Sequence, residues 1–194
     1  MREIRFMINY APICLGLVII CTLLYLYALK LLKSNPNKTV IAYYLGAIES
    51  QAICQKHQYW RLIAANFIHV DFWHYLFNIY FIIELGSWLE ASIDTWLFAL
   101  LLVVSGLAST ALTYGYDLKK GYHHVTFGAS GFGFGFLGFI AGLMLFHHAI
   151  APSSMTSFIS VILINVAYTL MRPNISKTGH LGGFIGGLLV SLLW

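Results

Sequence analysis

The stretch His124-Val-Thr-Phe-Gly-Ala-Ser-Gly-Phe-Gly-Phe-Gly-Phe-Leu-Gly-Phe139 opens an apolar run with a lone hydroxyl, Ser130, held between Gly128 and Gly131. Glycines recur at 131, 133, 135, 138 and 142, so one side of a helix here carries almost no side chain. A serine at the start of a membrane helix is ordinarily a small packing residue. Whether Ser130 is more than that depends on what shares its side of the membrane.

The chain has 194 residues, of which 59% are hydrophobic and 9% charged. A soluble domain carries about a quarter charged residues, so this chain cannot cover itself with polar surface. Several apolar runs approach the roughly 17–25 residues a membrane-crossing helix needs. The expectation is an all-α, multi-pass membrane protein in a lipid bilayer, with one domain over residues 1–194 and no soluble domain or internal repeat. The net charge of +4 is spread over loops, which gives no support for a nucleic-acid partner. Cys14, Cys21 and Cys54 lack ligand spacing and read as small apolar packing residues, so neither metal nor cofactor is expected.

Working outward, six helices are expected, at about 11–29, 73–89, 95–114, 131–146, 155–171 and 181–194. The first run is long for a signal peptide, and no small-residue cleavage site follows it, so it reads as a retained helix. Residues 34–70, with Pro36, Lys38, Lys56, Tyr59, Trp60 and Arg61, read as a long loop at the interface, where Tyr and Trp concentrate. His147, His148 and Pro152 mark one turn; Arg172, Pro173, Asn174 and Lys177 mark another.

Polar side chains inside membrane helices are costly and are functional candidates by default. His74 and Asn78 open the second helix, Ser130 opens the fourth and His180 opens the sixth. Even-numbered helices all start on the same side of a bilayer, so crossing parity alone gathers these four residues at one face. At about 1.5 Å per residue the fourth run falls short of the roughly 30 Å hydrocarbon core, which sets Ser130 below the membrane surface. Gly131 and Gly135 on the fourth helix, with Gly183 and Gly187 on the sixth, form small-xxx-small patterns that let helix backbones meet. Such packing would bring Ser130 to His180. A serine becomes nucleophilic when a base takes its proton, and histidine suits that task. Taken singly, Ser130 reads as packing, His180 as an interfacial or pore-lining residue, and Asn78 as an interhelical hydrogen bond. Their agreement in parity favours a shared site.

Three segments then resemble the rhomboid intramembrane serine proteases: Trp60 to Asn78 (WRLIAANFIHVDFWHYLFN), Gly128 to Gly131 (GASG) and Gly179 to Gly187 (GHLGGFIGG). The Trp-Arg pair, His-x4-His-x3-Asn, Gly-x-Ser-Gly and His-x2-Gly-x3-Gly occur in the order and on the helices the family uses. The resemblance implies a six-helix bundle in which Ser130 is the nucleophile and His180 the general base, with no third carboxylate. It makes His74, Asn78 and the backbone N–H of Ser130 the oxyanion donors. It gives Trp60 and Arg61 structural roles in the interfacial loop, and Glu90 an anchoring role there or in the following turn. Phe134 stands where the family often carries a tyrosine stacked on the histidine, and Glu84 has no family counterpart.

The implied substrates are membrane proteins whose transmembrane segments carry helix-destabilising residues. The implied location is a bacterial inner membrane, with the N-terminus in the cytoplasm and the site facing outward. Arg2 and Arg5 agree with that orientation, whereas the other nine lysines and arginines fall at the opposite face, where the positive-inside bias would favour the reverse. Competing readings are a rhombosortase that removes C-terminal Gly-Gly anchors, a non-catalytic relative that binds membrane clients, and a histidine-lined transporter. The transporter would be favoured by inverted repeats, which are absent from the sequence; the non-catalytic relative normally lacks the serine or the histidine.

Overall fold

In the computed structural model, which describes residues 2–149, 152–172 and 175–194, regular structure is helical throughout apart from one isolated antiparallel bridge, Ile48 with Thr126. An amphipathic helix α1 (Arg2–Tyr10) leads into α2 (Pro12–Ser34). Pro12 suits the first helical turn because its missing N–H would be unpaired there. The preceding Ala11 offers no side-chain cap. The cap comes from far along the chain: the Glu90 carboxylate accepts the N–H groups of Ile13 and Cys14, each at 2.8 Å. Glu90 therefore anchors the start of the first long helix, not the interfacial loop or the turn after it. A carboxylate is favoured at a helix N-terminus, where unpaired N–H groups and the macrodipole both attract negative charge.

The segment expected as a loop at 34–70 is mostly short helices: α3 (Lys38–Leu45), α4 (Ser50–Cys54), α5 (Arg61–Ala64) and a 3₁₀ turn (Ala65–Phe67). Asn37 caps α3 and Glu49 caps α4, each accepting two backbone N–H groups. Gly46, at φ 111°, ends α3 in a conformation that favours glycine. Arg61 ties these pieces together. Its buried guanidinium donates to Tyr43 O and Ala47 O, both at 2.8 Å, and to Gln58 Oε1 at 2.7 Å. It also lies over the Tyr43 ring at 4.3 Å and the Trp60 ring at 5.0 Å.

The second apolar run is α6 (Phe72–Phe81), a π-type turn (Ile82–Gly86) and α7 (Ser87–Glu90) in succession. Asp71 caps α6 through Trp73 N and His74 N. Lys38, 2.6 Å from Asp71, holds that carboxyl below its ordinary pKa, so the cap keeps its charge. Glu84 lies exposed on the π-type turn, beside a groove lined by Tyr80, Trp88 and Phe158. The third helix, α8 (Thr95–Lys120), continues past the expected end at 114 to Gly121, at φ 67°. Its last turns carry the buried Asp117, which pairs with His124 at 3.1 Å.

α9 (Ser130–Gly142) prolongs through a second π-type turn (Leu143–His147). Every residue from Gly131 to Gly142 is buried, as expected of a helix apolar all round. α8 and α11 (Lys177–Val190) pack tightly against it and against each other. α10 (Pro152–Met171) stands outside this core, and Leu163, Ile164 and Leu170 on it are exposed. Of the expected turns, Pro152 begins α10, while Pro173 and Asn174 lie outside the described residues. Three segments, Pro12–Ser34, Thr95–Lys120 and Ser130–His147, are each long and apolar enough to cross a membrane by themselves.

Candidate active site

The approach to Ser130 is a chain of backbone bonds. Ile48 and Thr126 exchange N–H to carbonyl bonds of 2.8 and 3.0 Å, and Gly128 N donates to Ala65 O at 2.9 Å. Ala129 N then donates to Nε2 of the fully buried His69, at 3.4 Å. Gly128 sits at φ 124°, and a methyl group built on it would overlap the His74 ring. Both the backbone conformation and the space demand glycine. Gly131 packs level with Ser109 of α8. Ser109 is eleven residues before that helix's end at Lys120, so α9 starts roughly 16 Å inside the end of its neighbour.

His180 occupies the first turn of α11, which Ser176 caps through Gly179 N at 3.0 Å. Its Nε2 lies 3.0 Å from Ser130 Oγ. Phe134, one helical turn beyond Ser130, stacks on the imidazole with ring centroids 3.9 Å apart and 20° between planes. On the far side of the ring edge, Nδ1 meets Thr169 Oγ1 of α10 at 2.7 Å. His180 and Thr169 are both buried. Nothing in the sequence singles out Thr169 or assigns a role to His69.

His74 and Asn78 share one face of α6, four residues apart. The His74 ring lies against Gly128, near His69 at 5.1 Å and Phe127 at 5.8 Å between centroids. Asn78 Nδ2 donates to His74 O at 2.7 Å, folded back along its own helix, and among the described residues its second N–H has no acceptor. The structure thus joins Ser130 to His180 directly and sets His74 against the loop two residues before the serine. Asn78 makes no bond to either.

The glycines explain how α9 and α11 come so close. A methyl group on Gly183 would overlap the carbonyl oxygen of Gly131, and one on Gly187 that of Gly135. Gly131 and Gly135 themselves turn toward Ser109 and Ser105 of α8. A second stripe, Gly182 and Gly186, abuts the α8 backbone at Ala108 and Ser105. α11 is therefore a wedge with a glycine stripe on each face, of which the first alone stood out in the sequence.

This chain belongs to the rhomboid family: the family's rhomboid domain matches residues 56–194. With its apolar helices, that makes it an integral membrane protein. Among its relatives, RHOMBOID-like protein 1 of Arabidopsis thaliana is 28% identical over 174 residues, covering 87% of this chain and 43% of that protein. Rhomboid protease GluP of Bacillus subtilis (strain 168) is 26% identical over 185 residues, 94% of this chain and 35% of its own length. Rhomboid-like protease 1 of Toxoplasma gondii is 29% identical over 150 residues, 73% of this chain and 49% of its own. The chain therefore spans less than half the length of these relatives.

Proposed function

We propose that this protein is an intramembrane serine endopeptidase that hydrolyses peptide bonds in or near the transmembrane segments of membrane proteins. The observation that carries the reading is the 3.0 Å contact between His180 Nε2 and Ser130 Oγ, at the inset start of a fully buried helix in a chain of the rhomboid family. Ser130 Oγ attacks the scissile carbonyl while His180 Nε2 takes its proton. The same nitrogen returns that proton to the leaving amine, and water then releases the acyl group. The reading takes the six apolar segments as six crossings forming one rhomboid-like domain over 1–194. It puts the chain in a bacterial inner membrane, with the site open to the extracytoplasmic side and Arg2 and Arg5 held in the cytoplasm.

The oxyanion formed on attack needs donors. The N–H groups of Ser130 and Gly131 come before the first intrahelical bonds of α9, which begin with Phe132 N and Gly133 N donating to Ala129 O. His74 and the free N–H of Asn78 face the same end of the bundle. Donors aimed at developing charge are worth roughly 3–4 kcal/mol each in a water-poor site. His74→Ala and Asn78→Ala are expected to lower kcat by roughly 10²-fold while changing KM little, because these bonds strengthen in the transition state. Steady-state cleavage of a model membrane substrate measures the split; a rise in KM at unchanged kcat would make the pair structural.

The substrate class follows from the depth of Ser130. A helical peptide bond is shielded by its own hydrogen bonds and side chains, so a substrate helix must unwind to present an extended carbonyl. Glycine is roughly 1 kcal/mol and proline about 3 kcal/mol worse than alanine in a helix interior, and either near the cleavage site lowers the cost of unwinding. Replacing such residues with leucine, with the scissile pair untouched, is expected to slow cleavage at least about fivefold. Equal rates on stiff poly-leucine segments would remove the unwinding step. A strict requirement for a terminal Gly-Gly motif, with tolerance of stiffening, would assign the rhombosortase activity.

A further inference from the structure

We propose that Thr169 is a positioning residue for His180, whose hydroxyl oxygen accepts the imidazole Nδ1–H and keeps Nε2 bare toward Ser130. The inference rests on the reading of Ser130 and His180 as a catalytic pair, and its argument is a count of hydrogens. Thr169 carries one hydroxyl hydrogen. Its Oγ1 lies 2.7 Å from Asn165 O, one turn back on α10, and a carbonyl oxygen can only accept. The hydroxyl hydrogen belongs to that bond. The same Oγ1 lies 2.7 Å from His180 Nδ1, a separation that needs a hydrogen between the two atoms, and the ring must supply it.

A neutral imidazole with its proton on Nδ1 has a lone pair on Nε2, which is 3.0 Å from Ser130 Oγ and can take the serine proton. The opposite tautomer would point an N–H at the serine and could not act as its base. Phe134 fixes the plane of the ring, but a face-on stack is indifferent to which nitrogen is protonated. Among the described residues, Thr169 Oγ1 is the partner bonded to Nδ1, and Thr169 and His180 are 6% and 8% exposed, which leaves little room for water to replace it. When Nε2 takes the serine proton, the Nδ1–H bond to Thr169 is kept, so the base and its conjugate acid occupy one orientation.

The test compares Thr169→Val, which keeps the shape and removes the acceptor, with Thr169→Ser, which keeps the hydroxyl. Both are made in the full chain in detergent. Thr169→Val is expected to lower kcat roughly 10- to 100-fold with KM within about twofold. Thr169→Ser should stay within about threefold of the parent. Imidazole ¹⁵N spectra, with the His180 signals assigned by their loss in His180→Ala, give a readout that needs no turnover. The parent should carry its neutral-state proton on Nδ1, and Thr169→Val should populate the Nε2–H form. A parent ring protonated on Nε2, or a Thr169→Val protein with unchanged kcat and tautomer, overturns the proposal. Failure of the parental Ser130 to react with a serine-directed fluorophosphonate overturns the catalytic pair instead, and the tautomer spectra still decide the role of Thr169.

Discussion

Ser130→Ala and His180→Ala are each expected to lower cleavage of a model membrane substrate by roughly 10⁴-fold or more, in proteins that melt within a few degrees of the parent. The size follows from the roles proposed. Removing Oγ takes away the atom that forms the acyl bond, and removing the imidazole leaves a serine hydroxyl with no acceptor for its proton. Folding should survive because Ser130 is small and the loss of the buried His180 ring removes one stack and one side-chain bond while leaving the α9–α11 seam in place. The seam beside them is backbone against backbone, with the Gly183 position set on the Gly131 carbonyl. The two single variants and the double variant should be about equally inactive, since residues that act as a unit do not add. A serine-directed fluorophosphonate in detergent supplies the second measurement: the parent should be labelled at Ser130, His180→Ala only slowly, and Ser130→Ala not at all. Turnover retained by Ser130→Ala would end the assignment.

How much of this was legible before the fold was known differs from residue to residue, for physical reasons. Ser130 and His180 could be gathered by crossing parity, because a bilayer forces alternate helices to start on alternate sides. Phe134 could be placed over the histidine only through the rhomboid resemblance, as it stands where the family often carries a stacked tyrosine. Thr169 could not. Its bond to Nδ1 depends on the rotation of α10 against α11, and serines, threonines and Asn165 are scattered around α10 rather than gathered on one side, so no periodicity announces which face turns inward. His69 lay inside a quoted motif, yet its bond to Ala129 N exists only because the segment after Gly121 descends against Ile48 and Ala65.

The helices of residues 34–70 were hidden for a different reason. Pieces of four to eight residues are shorter than the window over which helical periodicity can be read. What holds them is Arg61 reaching back to carbonyls 18 and 14 residues earlier. The Glu90 cap spans 77 and 76 residues of sequence, beyond any local rule. Its one sequence trace is negative: Pro12 starts a helix with alanine in the cap position. The extension of α8 to Lys120 escaped because hydropathy falls at Tyr114 while the helix continues on the buried Asp117.

The glycine seam makes the second large prediction, and it is graded along α11. Added methyl groups at Gly183 and Gly187 meet only backbone atoms among their nearest neighbours, the carbonyls and Cα atoms of Gly131 and Gly135. Backbone cannot rotate aside as a side chain can, so the helices must separate. Gly183→Ala and Gly187→Ala are therefore each expected to cost about 3 kcal/mol or more of stability, at the upper end for overpacking, and leucine at either position should cost more. Gly115→Ala on α8 is the control: nothing lies within 4 Å of its added methyl, and alanine is the better helix former, so its melting point should not fall. The two seam variants should differ in activity more than in stability. Gly183 rests on Gly131, the residue after Ser130, and lies one turn from His180, so a wedge there opens the 3.0 Å contact directly. Gly187 rests on Gly135, a turn farther from the serine. A displacement of about 1 Å at a reacting pair can cost roughly 10²-fold in rate, so Gly183→Ala should lose about tenfold or more cleavage beyond Gly187→Ala at matched folded fraction. Thermal unfolding in detergent together with kcat/KM on the folded protein measures both. Alanine variants as stable and active as the parent would remove close helix packing as the means by which α11 carries its histidine to the serine.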